Sequence, residues 1–140
     1  MGQAAKTFVA AHQGIAAAVD GSSVHAVMGT GGAPEGVLAA GALRCVGGQM
    51  QGRLILDTEA KRERALKMGI KDPKKIYHIE DMVKGDCLFA ATGVTSGAML
   101  TGVKFGKDMI ETETVVMRSV TGTVRKIIAE HRQLEKFHLD

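Results

Sequence analysis

Apolar residues come in short blocks separated by glycine, and their spacing alternates between unbroken runs and a helical period. Residues 4–19 are Ala-rich and read as a helix weakened at Gly14. The run over 24–28 reads as a buried strand and 34–46 as a helix, with Pro34 in its first turn and Gly47-Gly48 as its end. Residues 50–56 read as a strand. The charged stretch 58–68 reads as a surface helix stopped by Gly69. Asp72-Pro73 marks a turn. A short helix is predicted at 79–84, a strand at 87–91, a second short helix at 96–101 and an alternating strand at 112–117. Residues 119–122 read as a turn. The last segment, 123–135, places Val124, Ile127, Ile128, His131 and Leu134 on one side of a helix. Strands alternating with helices predict an α/β fold, a layered sheet flanked by helices, in one domain spanning 1–140.

The join between the second and third blocks carries chemistry. Gly29-Thr30-Gly31-Gly32-Ala33-Pro34-Glu35-Gly36 links the 24–28 run to the following helix. Glycines turn backbone N–H groups outward, and a helix N-terminus favours negative charge, so a strand, a Gly loop and a helix start form an anion site. Glu35 in the first turn would repel a bare phosphate, and a divalent cation between them resolves the conflict. The plainer reading is a common Gly-rich turn, with Glu35 favoured by the helix dipole alone.

A second loop, Thr92-Gly93-Val94-Thr95-Ser96-Gly97, also follows an apolar run. Ligands in open α/β sheets sit off the carboxyl ends of strands, where Thr92, Thr95 and Ser96 would offer hydroxyls or amides to a sugar phosphate. Equally, Thr and Ser serve as helix caps and turn residues. Arg118 precedes the 119–122 turn and is either a phosphate clamp or a surface arginine.

Charge adds little. The 18 basic and 15 acidic residues leave a net charge of +3, which suits small anions. No basic stripe with interleaved aromatics marks a nucleic-acid binder, and no 18-residue apolar run marks a membrane span. With four Phe, one Tyr and eight Met, the core is built from aliphatic residues. The two cysteines, Cys45 and Cys87, lack metal-ligand spacing and read as buried thiols in a reducing cytoplasm. Lys6 breaks the myristoylation pattern at the N-terminus, and His12, Gln13 and Gly14 interrupt any signal-peptide core. The five histidines have no ligand spacing, and the dispersed aspartates form no Asp-x-Asp cluster.

The glycine loop and its companions resemble class II fructose-1,6-bisphosphatase. The resemblance rests on Gly29 to Ala40, on Leu43-Arg44-Cys45 and on Gln49-Met50-Gln51-Gly52-Arg53-Leu54. It continues through Lys67-Met68-Gly69-Ile70, Glu80-Asp81-Met82 and Phe89-Ala90-Ala91-Thr92-Gly93-Val94-Thr95-Ser96-Gly97. It ends with Thr112-Glu113-Thr114, Met117-Arg118-Ser119 and Thr121-Gly122-Thr123-Val124-Arg125. The matching region runs from about Gly14 to the C-terminus.

The resemblance implies the C-terminal half of such an enzyme, an α/β domain of the lithium-sensitive sugar-phosphatase superfamily. It implies hydrolysis of the 1-phosphate of fructose 1,6-bisphosphate with Mg²⁺ or Mn²⁺, and cyanobacterial relatives also act on sedoheptulose bisphosphate. Glu35 matches a metal-ligand position and Gly32 a position beside the substrate phosphate, with Thr30 and Gly31 adjoining. The family's N-terminal half, with most metal-binding carboxylates and its catalytic threonine region, has no counterpart here. The Asp-Gly-Asp segment is replaced by His12-Gln13-Gly14-Ile15, so residues 1–13 are an atypical start. No catalytic residue is expected in this chain. It is expected to act with a missing N-terminal half or as a homo-oligomer joined through the apolar 10–19 segment. The alternative is a non-catalytic sugar-phosphate-binding or structural module.

Overall fold

A computed structural model describes residues 26–97, 99–133 and 135. The predicted 4–19 helix, the proposed 10–19 contact segment and His12, His25 and His138 lie outside these residues. Among the described residues the elements are α1 (Ala33–Val46), β1 (Gln51–Arg53), α2 (Glu59–Lys67), β2 (Ile76–His78), α3 (Ile79–Met82), β3 (Leu88–Thr92), β4 (Lys104–Phe105), β5 (Ile110–Arg118) and β6 (Thr123–His131). The architecture is mixed α/β, with antiparallel sheets.

Local signals account for the two longer helices. α1 begins with Pro in its first turn and ends at Gly47, whose N–H bonds back to Leu43. α2 is capped by Thr58, whose hydroxyl accepts from the Lys61 amide at 3.3 Å, and is braced by the Asp57–Lys61 pair. Ala65 alone is buried on α2, so it lies on the surface. Asp72 turns the chain as expected, its carboxylate accepting from the Lys74 amide at 2.8 Å.

The main sheet is organised by β5. β6 pairs with it along its whole length, from Ile110↔His131 to Arg118↔Thr123. β3 pairs antiparallel with residues 114–118 and β4 with 110–111, so these two short strands share the opposite edge. β1 and β2 form a separate two-stranded ribbon.

Four expectations are corrected. Residues 123–135 were expected as an amphipathic helix, but 123–131 are a strand. Gly122, at φ 59°, completes a four-residue turn that sends the chain back along β5. Once reversed, the β-branched Thr123, Val124, Ile127 and Ile128 suit a pleated strand better than a helix. Residues 96–101 form no helix among those described. The segment is a folded loop whose ends cross at Gly93 and Gly102. A Cβ on Gly102 would press on the backbone of Thr95 and Ser96, and one on Gly93 on the Thr101 carbonyl. The loop is closed by Gly97 N–H to Leu100 O and Val103 N–H to Val94 O. Residues 26–28, the described part of the 24–28 strand, are irregular, and Met28 is 97% exposed. No described strand lies beside them to take their backbone hydrogen bonds, and an extended segment without a ladder partner has little to hold it. The 50–56 strand shortens to Gln51–Arg53, the residues that find β2.

One face of the sheet is covered by α1. Ala42 and Cys45 from α1 pack with Val115 and Met117 from β5 and with Leu100 from the loop, and Phe89 and Ala91 of β3 close around them. A second cluster joins Ala40 and Leu43 to Ile79 of α3. The opposite sheet face carries Leu88, 72% exposed, and Ile127, 45% exposed.

Glu113 ties the crossed loop to β5. Its carboxylate accepts from the Thr101 amide at 2.7 Å, and Lys126 stands 3.7 Å away. The Thr101 hydrogen bonds, and then Lys126, hold its carboxyl below the usual glutamate value of 4.5. A carboxyl depressed on folding stabilises fully above its unfolded value, and the effect fades as pH falls through the folded value. A Glu113→Gln variant is therefore expected to be less stable than the parent at neutral pH, with the gap closing below about pH 4.5. Urea midpoints from about pH 3 to about pH 7 read this directly. A gap of constant size over that range would contradict it.

Candidate functional site

The glycine loop meets α1 much as its sequence requires. Gly32 caps the helix in an extended conformation without a side-chain cap, and its carbonyl accepts from Gly36 N–H at 3.1 Å. Thr30, Gly31 and Gly32 are exposed, and Glu35 is half-buried. The Glu35 side chain folds back over the Gly32 backbone, where a Cβ at position 32 would collide with its carboxylate. Glycine is the residue that lets this carboxylate lie across the helix start. The buried residues of α1 run from Ala39 onward, so its N-terminal turn projects past the packed core.

The other two candidates lie elsewhere. Ala91 opposite Val115 and Phe89 opposite Met117 face α1. Side chains alternate along a strand, so Thr92, opposite Thr114, points to the other face. The two threonine hydroxyls hydrogen-bond at 2.8 Å. Arg118, opposite Leu88, shares that outer face and is exposed. Four residues of strand, about 13 Å, separate its position from that of Thr114. The structure thus places Thr30, Gly31, Gly32 and Glu35 together at the start of α1, and Thr92 and Arg118 at separate positions on the sheet face turned away from the α1 packing.

Glu113 was not singled out from sequence. Its one signal is a carboxylate amid the β-branched residues of the 112–117 segment, where a charge needs a partner. Among the described residues no group of three or more His, Cys, Asp or Glu is placed to hold a metal ion. No helix of the described residues is long and apolar enough to cross a membrane.

Residues 9–131 match the family model described as bacterial fructose-1,6-bisphosphatase, glpX-encoded. The chain is 39% identical over 130 residues to a D-fructose 1,6-bisphosphatase class 2/sedoheptulose 1,7-bisphosphatase of Synechocystis, covering 84% of this chain and 38% of the relative. Proteins of the same description from Synechococcus and Thermosynechococcus vestitus are 41% and 37% identical. They are covered over 38% and 41% of their lengths, and they match 84% and 89% of this chain. The chain thus spans about two fifths of the length of the curated relatives it matches. With the glycine loop, the Thr92 loop and the β5–β6 hairpin all inside the matched region, the chain belongs to the bacterial, glpX-encoded fructose-1,6-bisphosphatase family.

Proposed function

We propose that this chain supplies the phosphate-facing turn of a fructose-1,6-bisphosphatase site that is completed by a second polypeptide segment. The observation that carries this reading is the exposed start of α1, where Thr30, Gly31, Gly32 and Glu35 converge, in a chain of this family. The exposed backbone of the Thr30-Gly31-Gly32 turn and the α1 dipole would receive the 1-phosphate. Glu35 would contribute one carboxylate to a Mg²⁺ or Mn²⁺ site. Thr92 and Arg118, on the outer sheet face, stay outside this assignment.

The described residues do not complete a divalent site. Such ions take six or more oxygens, and among the described residues Glu35 belongs to no group of three or more His, Cys, Asp or Glu. The remaining carboxylates would come from an N-terminal half, another copy or residues outside those described, and no catalytic step is assigned to this chain by itself. The same observation favours a second reading, a sugar-phosphate-binding module without turnover. In either case the chain would work in the cytoplasm on a small sugar bisphosphate.

Amide shifts on adding inorganic phosphate or fructose 1,6-bisphosphate to the full chain test the turn. The largest shifts are expected between Gly31 and Gly36. In metal-free buffer Glu35→Gln should bind phosphate about fivefold tighter, because two unit charges about 4 Å apart in water repel by ~1 kcal/mol. Shifts confined to other residues, or an unchanged affinity in the variant, would reject the assignment.

A further inference from the structure

The chain has two cysteines, 42 positions apart, on different elements, and the fold packs them together. Cys45 lies in the last turn of α1 and Cys87 immediately before β3. Cys45 Sγ stands 3.7 Å from the Cys87 carbonyl oxygen. Cys87 Sγ stands 3.7 Å from the carbonyl of Gly41, one helical turn before Cys45. Both cysteine side chains therefore pack over the same turn of α1, around one buried cluster.

The surroundings hold this arrangement. Ser119 grips the Cys87 backbone from both sides, its hydroxyl accepting from Cys87 N–H at 2.8 Å and its own N–H donating to Cys87 O at 2.9 Å. Arg44, beside Cys45, donates to the Gly85 carbonyl at 2.9 Å and pins the approach to β3 against the helix. Cys45 is buried and Cys87 is partly exposed. Burial first, and the neighbouring Cys87 second, push the Cys45 thiol up to about 11. Cys87 is therefore the more accessible of the two residues, while Cys45 stays protonated in the core.

We propose that Cys45 and Cys87 are a modification site that closes to a reversible intramolecular disulfide and ties α1 to β3. The oxidant class is a small peroxide. Cys87 gives its proton to solvent and its sulfur attacks a peroxide oxygen. The O–O bond breaks, and the released hydroxide leaves as water. The product is a Cys87 sulfenic acid. The Cys45 sulfur then attacks the Cys87 sulfur, and the S–O bond breaks. The departing hydroxide takes the Cys45 proton as a second water. Two thiols lose two electrons and two protons, and one peroxide becomes two waters. A small dithiol reductant reverses the bond by thiol–disulfide exchange. This inference does not depend on the proposed phosphate turn, which lies at the other end of α1.

The test treats the full chain with hydrogen peroxide, then unfolds it and alkylates free thiols. Mass spectrometry of proteolytic peptides is expected to show the Cys45 peptide joined to the Cys87 peptide, with neither alkylated. Dithiothreitol should return both to the alkylated pool. Closing a loop of this length should raise Tm by on the order of 10 °C. Cys87→Ser should leave Cys45 fully alkylated after the same treatment and remove the gain. Two free thiols after oxidation would overturn the proposal. So would a Cys87 sulfinate beside a free Cys45, or a linkage between two chains. A joined pair with unchanged Tm would overturn the tying of helix to strand.

Discussion

Mixed with the N-terminal three fifths of a cyanobacterial relative, the chain is expected to support release of phosphate from fructose 1,6-bisphosphate, and alone to release none. The chain spans 38% of the Synechocystis relative, and its described residues hold no cluster of metal-binding side chains. Hydrolysis of a phosphate monoester needs converging carboxylates to organise a nucleophile and neutralise the phosphoryl oxygens. In the mixture, with Mg²⁺ or Mn²⁺ present, Glu35→Gln should lower turnover by about 10²–10³, the usual scale for losing one preorganised electrostatic group. Because Glu35 lies on a projecting turn, its replacement changes charge and leaves the packed part of α1 alone. Phosphate release and circular dichroism on both forms decide the matter. Turnover by the isolated chain near a typical enzyme value of about 10 per second would overturn the need for a second segment. Full turnover by the Gln variant would remove Glu35 from the site. No turnover in any mixture, with phosphate still bound at residues 31–36, would favour the binding module.

Leu100→Ala is expected to cost about 2–5 kcal/mol, the range for emptying a closed leucine site. Leu100 is 3% exposed and sits among Ala42, Cys45, Val115 and Met117. The loop carrying it cannot sag into the space. Its two ends cross with no room for a Cβ, Thr101 is held by Glu113, and Gly102 N–H is held by the Ser96 hydroxyl. A cavity that cannot collapse carries its full cost. Domains are stable by only about 5–15 kcal/mol, so this single change should move the urea midpoint by a large fraction while leaving the slope unchanged. Leu88→Ala, at a residue 72% exposed, serves as the control and should stay within about 0.5 kcal/mol of the parent. Equal midpoints for the two variants would show that the loop does not anchor the core.

The elements legible in the sequence are those decided within a few residues. Pro34, Glu35 and Gly47 mark α1, and Asp57, Thr58 and Lys61 mark the start of α2, because caps and dipole contacts act inside one turn. The alternation over 112–117 identified the middle of β5 because one buried face imposes a period of two. The chemistry of the glycine loop was legible for the same reason. Gly32 and Glu35 lie three positions apart at one helix start, so their meeting needs no distant partner.

Tertiary structure decided the rest. Val124, Ile127, Ile128 and His131 fit a helical stripe as well as a strand, and pairing along the whole of β5 settled the choice, with His131 reaching the Thr112 hydroxyl at 3.0 Å. The 96–101 segment became a crossed loop because Leu100 is drawn into the core while Glu113 grips its neighbour. The candidate site residues divided between the start of α1 and separate positions on the outer sheet face, for a reason that spacing along a chain does not encode. Thr92 and Arg118 sit on the sheet face turned away from α1, and which face a residue occupies depends on register with β5. The thiol pair belongs here too. Cys45 and Cys87 are unremarkable 42 positions apart, and they meet because a helix of small residues, Ala39 to Ala42, lets β3 approach closely. Local hydrogen bonds and dipoles act within a turn, whereas sheet register and core packing join residues that the chain keeps far apart.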